Sequence, residues 1–559
     1  MTPEDSRILE ANLSALSRRD AELVASIRAS IPDPRLVYGR ARNGQIVPSL
    51  RLPRGSAPLH SLYDPGQEAK KLVASIGGAG FYVAFGLGAG FLVSALLDDP
   101  GVYSILVVEK DAATLRSLLE HVQLADSLGD PRVHVVAGRG GIRTRLLAAW
   151  RPALMGGLRT VPLRPWCENE ERFFRLAALD VEAALDAVRA DYSVQAHFGK
   201  LWLTNMMHNM ERAEQPIAAV PRSDRACVIA AGPSLDQQIQ DIPRAKSMLL
   251  ASDTALPALL RRGITPDAVL SIDCQVHSYH HFLQGIPEKS MLFLDLASPP
   301  VVARRAARVA FVSSAHPFAA YLNARWKRFP RIDMSGGNVT HAALSLAPLL
   351  GASHVTLYGA DFSYPNGKAY ARGTYLYDLF SASQNRVSPA ESRWVSFLFR
   401  SPDTHGVHAG GRMLYTTSVM NSYRASIVSL MESMEAEVVP VQGEGLSLRH
   451  EKHSSRPPGD APPTFWPQSR PLCGWKDLLA GYAHDLEDLP SFGNQPGVWF
   501  RALQPEQHNL LATLLPVAAR VIKETGDSVN GPAALEAARA WTLSRIRRFL
   551  SAREPHFQP

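Results

Sequence analysis

Short, uninterrupted apolar runs separated by helix-like segments constrain the fold of this chain more than any other feature. They recur between residues 226 and 358, and each has about the length of one strand. Such runs, without alternating polar residues, are typical of strands covered on both faces, as in a doubly wound parallel sheet. The predicted strands are Ala226–Ala231, Met248–Ala251, Ala268–Ile272, Met291–Leu294, Val309–Val312 and His354–Tyr358.

A second unit of the same kind lies nearer the N-terminus. Phe81–Phe85 predicts a buried strand, the glycine-rich turn Gly86–Gly90 follows, and a helical pattern comes next. Further strands are predicted at Ser104–Val108, which leads into Glu109, and at Val133–Val136. Strand, glycine turn, helix and acidic strand end form a βαβ pattern of Rossmann type. We therefore predict an α/β protein with two Rossmann-like doubly wound parallel-sheet domains and a helical C-terminal region.

The 559 residues exceed what one hydrophobic core usually serves, so several domains are expected. Residues 7–30 show helical spacing, and Asn43-Gly44 predicts a hairpin turn between Leu36–Tyr38 and Ile46–Leu52. The predicted domains are 1–165 with the first Rossmann-like unit, 166–220 as a helical connector, 221–452 as the central domain, 453–470 as a Pro-rich linker and 471–559 as a helical C-terminal domain.

Composition limits the compartment and the partners. The net charge of +7 suits an anionic ligand, but the basic residues are scattered, which argues against nucleic acid. The four cysteines form no CxxC pair, so neither a zinc knuckle nor a disulfide framework is predicted. The polar N-terminus does not resemble a signal peptide, and glycines interrupt the longest apolar stretch, Tyr82–Leu97. We predict a cytoplasmic protein without a membrane partner.

The turn Gly232-Pro233-Ser234 directly follows the first strand of the central domain. Backbone N–H groups at such a turn are able to hold a phosphate, with Ser234 bonding the same ligand. Alternatively, Ser234 caps the following helix and Pro233 shapes its entry. The turn alone leaves both interpretations open.

Three carboxylates follow other predicted strands of the same sheet. Asp253, Asp273 and Asp361 come shortly after their strands, the last through Gly359. Ligands of open α/β sheets bind outside the carboxyl ends of the strands, so these side chains are placed to bind ribose hydroxyls, a metal or an acceptor. Each carboxylate alone could equally cap a helix or a turn.

Histidines cluster just after Asp273. On a helix, His277 and His281 would share a face at the spacing of a metal pair, but no third ligand accompanies them, so no metal site is predicted. A role as general base or phosphate contact suits His277 better, because histidine titrates near neutrality. His280, His316 and His341 are further candidates.

Two glycine-containing segments complete the set. Ser335–Thr340 precedes an apolar helix, and its Gly336 and Asn338 could offer backbone and amide groups to an anion or sugar, or simply start the helix. The Gly86–Gly90 turn with Glu109 resembles a nucleotide or S-adenosylmethionine fingerprint, although it is GxGxG rather than GxGxxG.

Taken in order, these segments resemble the Maf (motility-associated factor) family of bacterial flagellin glycosyltransferases over residues 5–450. The segments are Ala231–Asp236, Ser252–Leu256, Gly263–Asp273, Ser335–Thr340, Leu357–Phe362 and, near the N-terminus, Ser61–Pro65 with Glu68-Ala69. The sequence departs from the family at Ala360, where many relatives carry Gln before the Asp.

The resemblance implies a central catalytic domain similar to bacterial sialyltransferases, which binds a nucleotide sugar. The implied donor is a CMP-activated nonulosonic acid (pseudaminic or legionaminic acid), the acceptor is Ser or Thr of flagellin, and Mg²⁺ is compatible but not implied. Carried over, Gly232, Pro233 and Ser234 would hold the phosphate. The donor and acceptor cleft would be lined by Asp253, Asp273, Gly336, Asn338, Gly359 and Asp361.

Three alternatives stay open. The central motifs also resemble an archaeal-type 6-hydroxymethyl-dihydropterin pyrophosphokinase, in which Asp253, Asp273 and Asp361 would bind magnesium for ATP. A non-catalytic module that binds flagellin or a chaperone is the second alternative. The third is an S-adenosylmethionine-dependent methyltransferase in residues 75–150, which depends on the glycine turn and Glu109.

Overall fold

A computed structural model describes residues 2–53, 55–217, 219–448, 469–492, 495–526 and 531–551. The chain forms two compact units, one of Met1–Gly199 with Asp485–Pro559 and one of Lys200–His484. Residues 453–468 of the predicted linker lie outside the described residues, and the boundaries of the five predicted domains stay predictions.

The first unit begins with two helices where the sequence predicted one over residues 7–30. The helices are α1 (Pro3–Ser17) and α2 (Ala21–Ala29). Asp20 ends the pattern, because its carboxylate accepts a hydrogen bond from the amide of Leu23 at 2.9 Å and so starts a new helix. The predicted hairpin is present in an antiparallel sheet of β1 (Leu36–Arg40), β2 (Ile46–Leu52) and β3 (Gly55–Pro58).

The predicted Rossmann-like sheet of the first unit is confirmed and is parallel. Its strands are β4 (Phe81–Phe85), β5 (Ser104–Glu109), β6 (Val133–Ala137) and β7 (Leu158–Pro162), in the order β6-β5-β4-β7. The helices of this region are α3 (Pro65–Ile76), α4 (Phe91–Leu97), α5 (Ala112–His121), α6 (Ala125–Gly129), α7 (Ile142–Ala149), α8 (Pro152–Met155) and α9 (Arg164–Asn169). The long helix α10 (Glu171–Glu214) follows, and its residues from Lys200 onward belong to the second unit.

The second unit contains the large parallel sheet that the apolar runs predicted. Its strands are β8 (Arg225–Ile229), β9 (Met248–Ser252), β10 (Ala268–Ser271), β11 (Met291–Asp295), β12 (Val309–Val312) and β13 (His354–Tyr358). The helices between them are α11 (Leu235–Gln238), α12 (Leu256–Leu260), α13 (Pro300–Arg305), α14 (Pro317–Arg325) and α15 (Val339–Leu349), with 3-10 helices at Asp253–Ala255 and Val276–Phe282.

A long excursion follows β13 before the chain returns to the same sheet. It contains a 3-10 helix (Pro365–Gly367), α16 (Tyr375–Ala382), α17 (Ala390–Leu398), the antiparallel hairpin β14 (His405–Ala409) and β15 (Arg412–Thr416), α18 (Ser418–Ser433) and the parallel strand β16 (Glu437–Pro440). We call residues 364–417 the insertion. The insertion has an aromatic core of its own, made by Tyr364, Tyr370, Trp394, Phe397 and Tyr415.

The strand order β12-β11-β10-β9-β8-β13-β16 places β9 and β13 on opposite sides of β8. All pairs in this sheet are parallel, so all carboxyl ends lie at one edge. Alternate residues of each strand face opposite sides. In β8, Val228 packs in the core that includes α15 and α18, whereas Ile229 packs in the core that includes α11 and α12.

The C-terminal region is helical in its described part, as predicted. Its helices are α19 (Trp475–Glu487), α20 (Pro496–Ala502), α21 (Pro505–Thr525) and α22 (Gly531–Ser551). In the described part of the chain, no helix is long and apolar enough to cross a membrane.

Candidate functional site

The candidate site lies at the carboxyl edge of the large sheet, on both sides of β8. The turn at Gly232–Ser234 follows β8, Asp253 follows β9, Asp273 follows β10 and Asp361 follows β13. A reversal of strand order at the first strand leaves a crevice in doubly wound folds, and ligands bind there. The sheet thus brings these carboxylates and the turn to one edge.

Ser234 and Asp361 form a buried pair across this edge. The amide of Ser234 donates to Oδ2 of Asp361 at 2.8 Å, and its hydroxyl donates to Oδ1. Ser234 is 2% and Asp361 4% exposed. Burial raises the pKa of Asp361, while the two bonds from Ser234 and the amide of Gly445 act in the opposite direction. The pair joins the end of β8 to the end of β13.

The backbone N–H groups of the turn after β8 already donate hydrogen bonds within the protein. Gly232 donates to the carbonyl of Gly359 at 2.8 Å, Pro233 has no N–H group, and the amide of Leu235 donates to the carbonyl of Gly232 at 3.0 Å. The hydroxyl of Ser234 makes no cap bond to α11. In this structure the turn is therefore held by Asp361 and Gly359, and phosphate binding by Gly232, Pro233 and Ser234 stays a prediction.

Close backbone packing explains the glycines of this region. A Cβ at Gly232 would lie 2.3 Å from Oδ2 of Asp361 and 2.4 Å from the carbonyl oxygen of Gly359. Gly359 has a φ of +66°, which L side chains rarely adopt, and its Cβ would lie 2.4 Å from the carbonyl oxygen of Ala230.

Asp253 is also buried and bonded rather than capping a helix. Its Oδ1 accepts from the amide and hydroxyl of Thr254 at 2.6 and 3.0 Å, and its Oδ2 accepts from the hydroxyl of Ser271 at 2.7 Å. Ser271 ends β10, so this bond fixes the carboxyl ends of β9 and β10 to one another. Ser252 caps the 3-10 helix instead, with its hydroxyl 3.3 Å from the amide of Ala255.

Asp273 and His277 lie on the exposed side of the same edge. The amide of Gln275 donates to Asp273 at 2.8 Å. His277 is an exposed residue of the 3-10 helix Val276–Phe282. The expectation that His277 and His281 share a helical face is wrong. A 3-10 helix repeats every three residues, and the rings of His277 and His280 stack, with centroids 5.9 Å apart.

Tyr375 at the start of α16 extends this group of rings, and the sequence analysis missed it. Its ring stacks on His280 at 5.5 Å and meets His281 edge-on at 4.8 Å. Burial raises the pKa of Tyr375, and the charges of Asp253 and Asp273 act in the same direction. The sequence signal was the density of aromatic residues between β13 and β16, which indicates a small packed subdomain but no partner.

Gly336 and Asn338 form the start of α15, which packs under β8, β9 and β10. Asn338 caps the helix: its Oδ1 accepts from the amide of His341 at 2.9 Å, and its Nδ2 donates to the carbonyl of Gly336 at 3.0 Å. A Cβ on Gly336 would lie 2.3 Å from the ring of His341. Because α15 leads directly into β13, it runs antiparallel to the strands, and its start lies at the carboxyl edge.

The sequence analysis also missed two residues of helix α10 that position the loops at the carboxyl edge of the sheet. Asn205 donates to the carbonyls of Cys274 and Ala297 at 2.9 and 2.8 Å. One turn later, Asn209 donates to the carbonyls of Leu296 and Ser298, both at 2.8 Å. These side chains hold the loops after β10 and β11, a pairing across 69 to 92 residues that no local pattern reveals.

Side chains of the protein occupy the space beside the glycine turn Gly86–Gly90 of the first unit. A Cβ at Gly88 would lie 2.3 Å from Nε2 of His60, and one at Gly86 would lie 2.8 Å from the ring of Trp166. Glu109 is fully buried and accepts from the amide of Leu87 at 2.9 Å and from Nε1 of Trp166 at 2.7 Å. Burial raises the pKa of Glu109. These glycines make room for His60 and Trp166.

The remaining candidates have structural partners. His316 caps α14, with its Nδ1 3.1 Å from the amide of Phe318, and burial lowers its pKa to about 3. The Nδ1 of His341 lies 3.2 Å from the carbonyl of Asp333. Within the described ranges, no three His, Cys, Asp or Glu side chains are grouped closely enough to hold a metal ion.

Over almost its whole length, the chain has the fold of a solved glycosyltransferase. It matches the structure of MAf glycosyltransferase from Magnetospirillum magneticum AMB-1 with a TM-score of 0.53 and 15% sequence identity, over 98% of this chain and 96% of that chain. Residues 202–367 match the family model described as 6-hydroxymethylpterin diphosphokinase MptE-like. The resemblance to Maf proteins with an MptE-like central segment is thereby confirmed.

Parts of the chain are similar to uncharacterized proteins of Treponema pallidum (strain Nichols). One is 33% identical over 148 residues, which are 26% of this chain and 52% of the relative, so the chain spans about half the length of that protein. Another is 32% identical over 178 residues, which are 30% of this chain and 82% of the relative. The chain belongs to the same protein family as this second relative.

Proposed function

We propose that the protein is a glycosyltransferase that moves a nonulosonic acid from its CMP-activated donor to a Ser or Thr hydroxyl of flagellin. The observation that carries the proposal is the Maf glycosyltransferase fold together with a switch-point crevice lined by Asp253, Asp273 and the start of α15. The donor and the acceptor come from the sequence resemblance. We expect the donor sugar to be pseudaminic or legionaminic acid. We expect the reaction to take place in the cytoplasm.

The reaction forms one bond and breaks one. The acceptor oxygen attacks the anomeric carbon of the sugar, the bond from that carbon to the phosphate oxygen of CMP breaks, and CMP leaves with the electron pair. A base must take the hydroxyl proton. His277 and Asp273 supply exposed groups on one short segment, and neither is sequestered in the core. We assign the base to this segment and assign the donor side of the crevice to Gly336 and Asn338. Asp253 acts through its bonds to Thr254 and Ser271, which hold the carboxyl ends of β9 and β10 in place.

The buried pair of Ser234 and Asp361 has a different part in this proposal. Both oxygens of Asp361 already accept from Ser234, so Asp361 shapes the turn after β8 instead of taking the acceptor proton. The bond thus holds the ends of β8 and β13 together beside the crevice. Loss of the pair would displace the turn and weaken donor binding without touching the base.

A second candidate is a 6-hydroxymethylpterin diphosphokinase, and the MptE-like match at residues 202–367 favours it. That enzyme would use ATP with magnesium in the same crevice, with Asp253 and Asp273 as metal ligands. The two candidates differ in the nucleotide that binds, so nucleotide preference separates them.

Calorimetric titration of the full chain with CMP, CTP and ATP–Mg²⁺ tests the proposal. We expect CMP and CTP to bind, and we expect Asp253→Asn to weaken that binding. Asp241→Asn, at an exposed position outside the crevice, serves as the matched control and should bind like the unmodified chain. Binding of ATP–Mg²⁺ without binding of CMP or CTP would transfer the assignment to the diphosphokinase.

A further inference from the structure

The carboxyl edge of the large sheet carries the carboxylates of Asp253, Asp273 and Asp361. The carboxylate of Glu444 is paired with Arg412 at 3.0 Å, whereas Asp273 is exposed and has no ion-pair partner among the described residues. A CMP-activated nonulosonic acid has a phosphate and a carboxylate of its own. Like charges at short range repel, so binding requires a cation that faces the crevice.

Two arginines of this region are already paired with carboxylates. Arg412 pairs with Glu444 at 3.0 Å, and Arg262 pairs with Asp236 at 2.9 Å. Arg400, in the insertion directly after α17, differs from them: it is exposed, and no carboxylate of the described residues lies within ion-pair distance of it.

The guanidinium of Arg400 is held in a fixed orientation. Its Cζ lies 3.7 Å from the ring centroid of Phe397, and its Nη1 donates to the carbonyl of the same residue at 2.6 Å. Stacking on an aromatic face is favourable for a guanidinium and leaves its in-plane N–H groups available. One N–H group is used by the carbonyl, and the remaining ones form the planar donor set that suits phosphate or carboxylate.

Two tyrosines connect Arg400 with the carboxylates of the edge. The ring of Phe397 lies 6.2 Å from that of Tyr370, which packs both in the insertion core and against the sheet. Tyr375 stacks on His280 beside Asp273. Burial raises the pKa of Tyr370 to about 12, with Arg400 opposing and Asp253 adding to the rise. The amide of Ala371, next to Tyr370, donates to the carbonyl of Ala231 at 2.9 Å, which places this part of the insertion beside the turn after β8.

We propose that Arg400 binds an anionic group of the nucleotide-sugar donor, either its phosphate or the carboxylate of its sugar. The inference depends on the proposed function for the identity of the ligand. It assigns a role to the insertion as well: Arg400, which follows α17, supplies the cation, and α16 begins with Tyr375. The insertion thus supplies the positive side of a crevice whose sheet side is negative.

The test is calorimetric titration of the full chain and of Arg400→Ala with two probes, CMP and CMP-N-acetylneuraminic acid. Loss of one charge-assisted contact should weaken binding about tenfold to a hundredfold. Arg400→Lys keeps the charge but not the planar donor set, so it should recover only part of the affinity. Arg386→Ala, an exposed arginine in the same insertion, removes the same charge and serves as the matched control.

The outcomes separate the two anions and the two proposals. Weaker binding of both probes assigns Arg400 to the phosphate, and weaker binding of the sugar nucleotide alone assigns it to the carboxylate. Equal affinity of Arg400→Ala and the unmodified chain overturns the inference, as does an equal loss in Arg386→Ala, which would indicate a diffuse charge effect. Failure of the unmodified chain to bind either probe contradicts the proposed function, and the inference falls with it. If Arg400→Ala melts early, Arg400→Gln is titrated instead.

Discussion

At the scale of single residues, the buried bond between Ser234 and Asp361 gives the site a dependence on pH. Burial raises the pKa of Asp361 above the usual aspartate value of 3.8. A carboxyl whose pKa is higher in the folded than in the unfolded state contributes stability below about 3.8, and that contribution is lost as the pH rises through the folded pKa. Ser234→Ala removes one donor to the ionised form, so the pKa of Asp361 should rise further.

We therefore predict that Ser234→Ala destabilises the second unit more at high pH than at low pH. The loss should be about 1 kcal/mol where Asp361 is protonated and about 2 kcal/mol near pH 8, because a bond to a charged group contributes more. Urea unfolding just below pH 3.8 and near pH 8 measures both values. Ser426→Ala, whose hydroxyl donates to Ser422 of its own helix, is the control. An equal loss at both pH values would contradict the prediction.

A second prediction at the scale of single residues concerns Gly232. The added Cβ of Gly232→Ala would meet Asp361 and Gly359 at 2.3 and 2.4 Å, so the turn must shift. Overpacking of this kind costs about 1–3 kcal/mol. We expect a lower midpoint of unfolding and weaker CMP binding by calorimetry. Gly481→Ala, where a Cβ meets nothing within 4 Å on an exposed face of α19, should leave CMP binding unchanged and should not lower the midpoint, because alanine favours a helix interior. Full CMP affinity in Gly232→Ala would show that the turn does not shape the site.

At the scale of elements, α10 positions the loops of the carboxyl edge through Asn205 and Asn209. Both side chains are buried, 6% and 1% exposed, and each donates to two loop carbonyls. Asn205→Ala should leave the carbonyls of Cys274 and Ala297 without a donor, at a cost of about 1–3 kcal/mol. The loop that carries Asp273 and His277 should become more mobile as a result.

Hydrogen exchange measured by mass spectrometry tests this role. Peptides that cover residues 272–282 should exchange faster in Asn205→Ala than in the unmodified chain, and transfer should lose kcat with little change in donor KM. Thr204→Ala is the control, because the hydroxyl of Thr204 bonds only Lys200 of its own helix. Unchanged exchange in residues 272–282 would show that Asn205 contributes to overall stability and does not position this loop.

At the scale of the whole molecule, the sequence was sufficient for most strands of the two parallel sheets and insufficient for one edge strand of each sheet. β4 and β12 match their predictions residue for residue, because all their residues are buried and their apolar runs are continuous. β7 and β16 were not predicted. Leu158–Pro162 and Glu437–Pro440 contain exposed polar residues and end in Pro, as edge strands do.

The residues of the site divide in the same way into those that a local sequence pattern predicts and those that it does not. Strand-end residues such as Asp253 and Asp273 follow directly from the strand pattern, since parallel strands share one carboxyl edge. The bond from Ser234 to Asp361 spans 127 residues, and the approach of Arg400 to Tyr370 depends on how the insertion packs. Neither leaves a local signal. His277 and His280 stack because the segment is a 3-10 helix, which its spacing alone did not indicate.

The central claim, transfer of a sugar from a CMP donor to a protein, is tested most directly by intact-mass spectrometry of flagellin incubated with the full chain and CMP-pseudaminic or CMP-legionaminic acid. We predict a mass increase of one sugar residue per modified site, with one CMP released for each sugar transferred. His277→Ala and Asp273→Asn should slow the increase. Arg386→Ala should leave it unchanged. CMP release without any increase in the mass of flagellin, or no reaction with either donor while ATP–Mg²⁺ and a hydroxymethylpterin are consumed, would contradict the account.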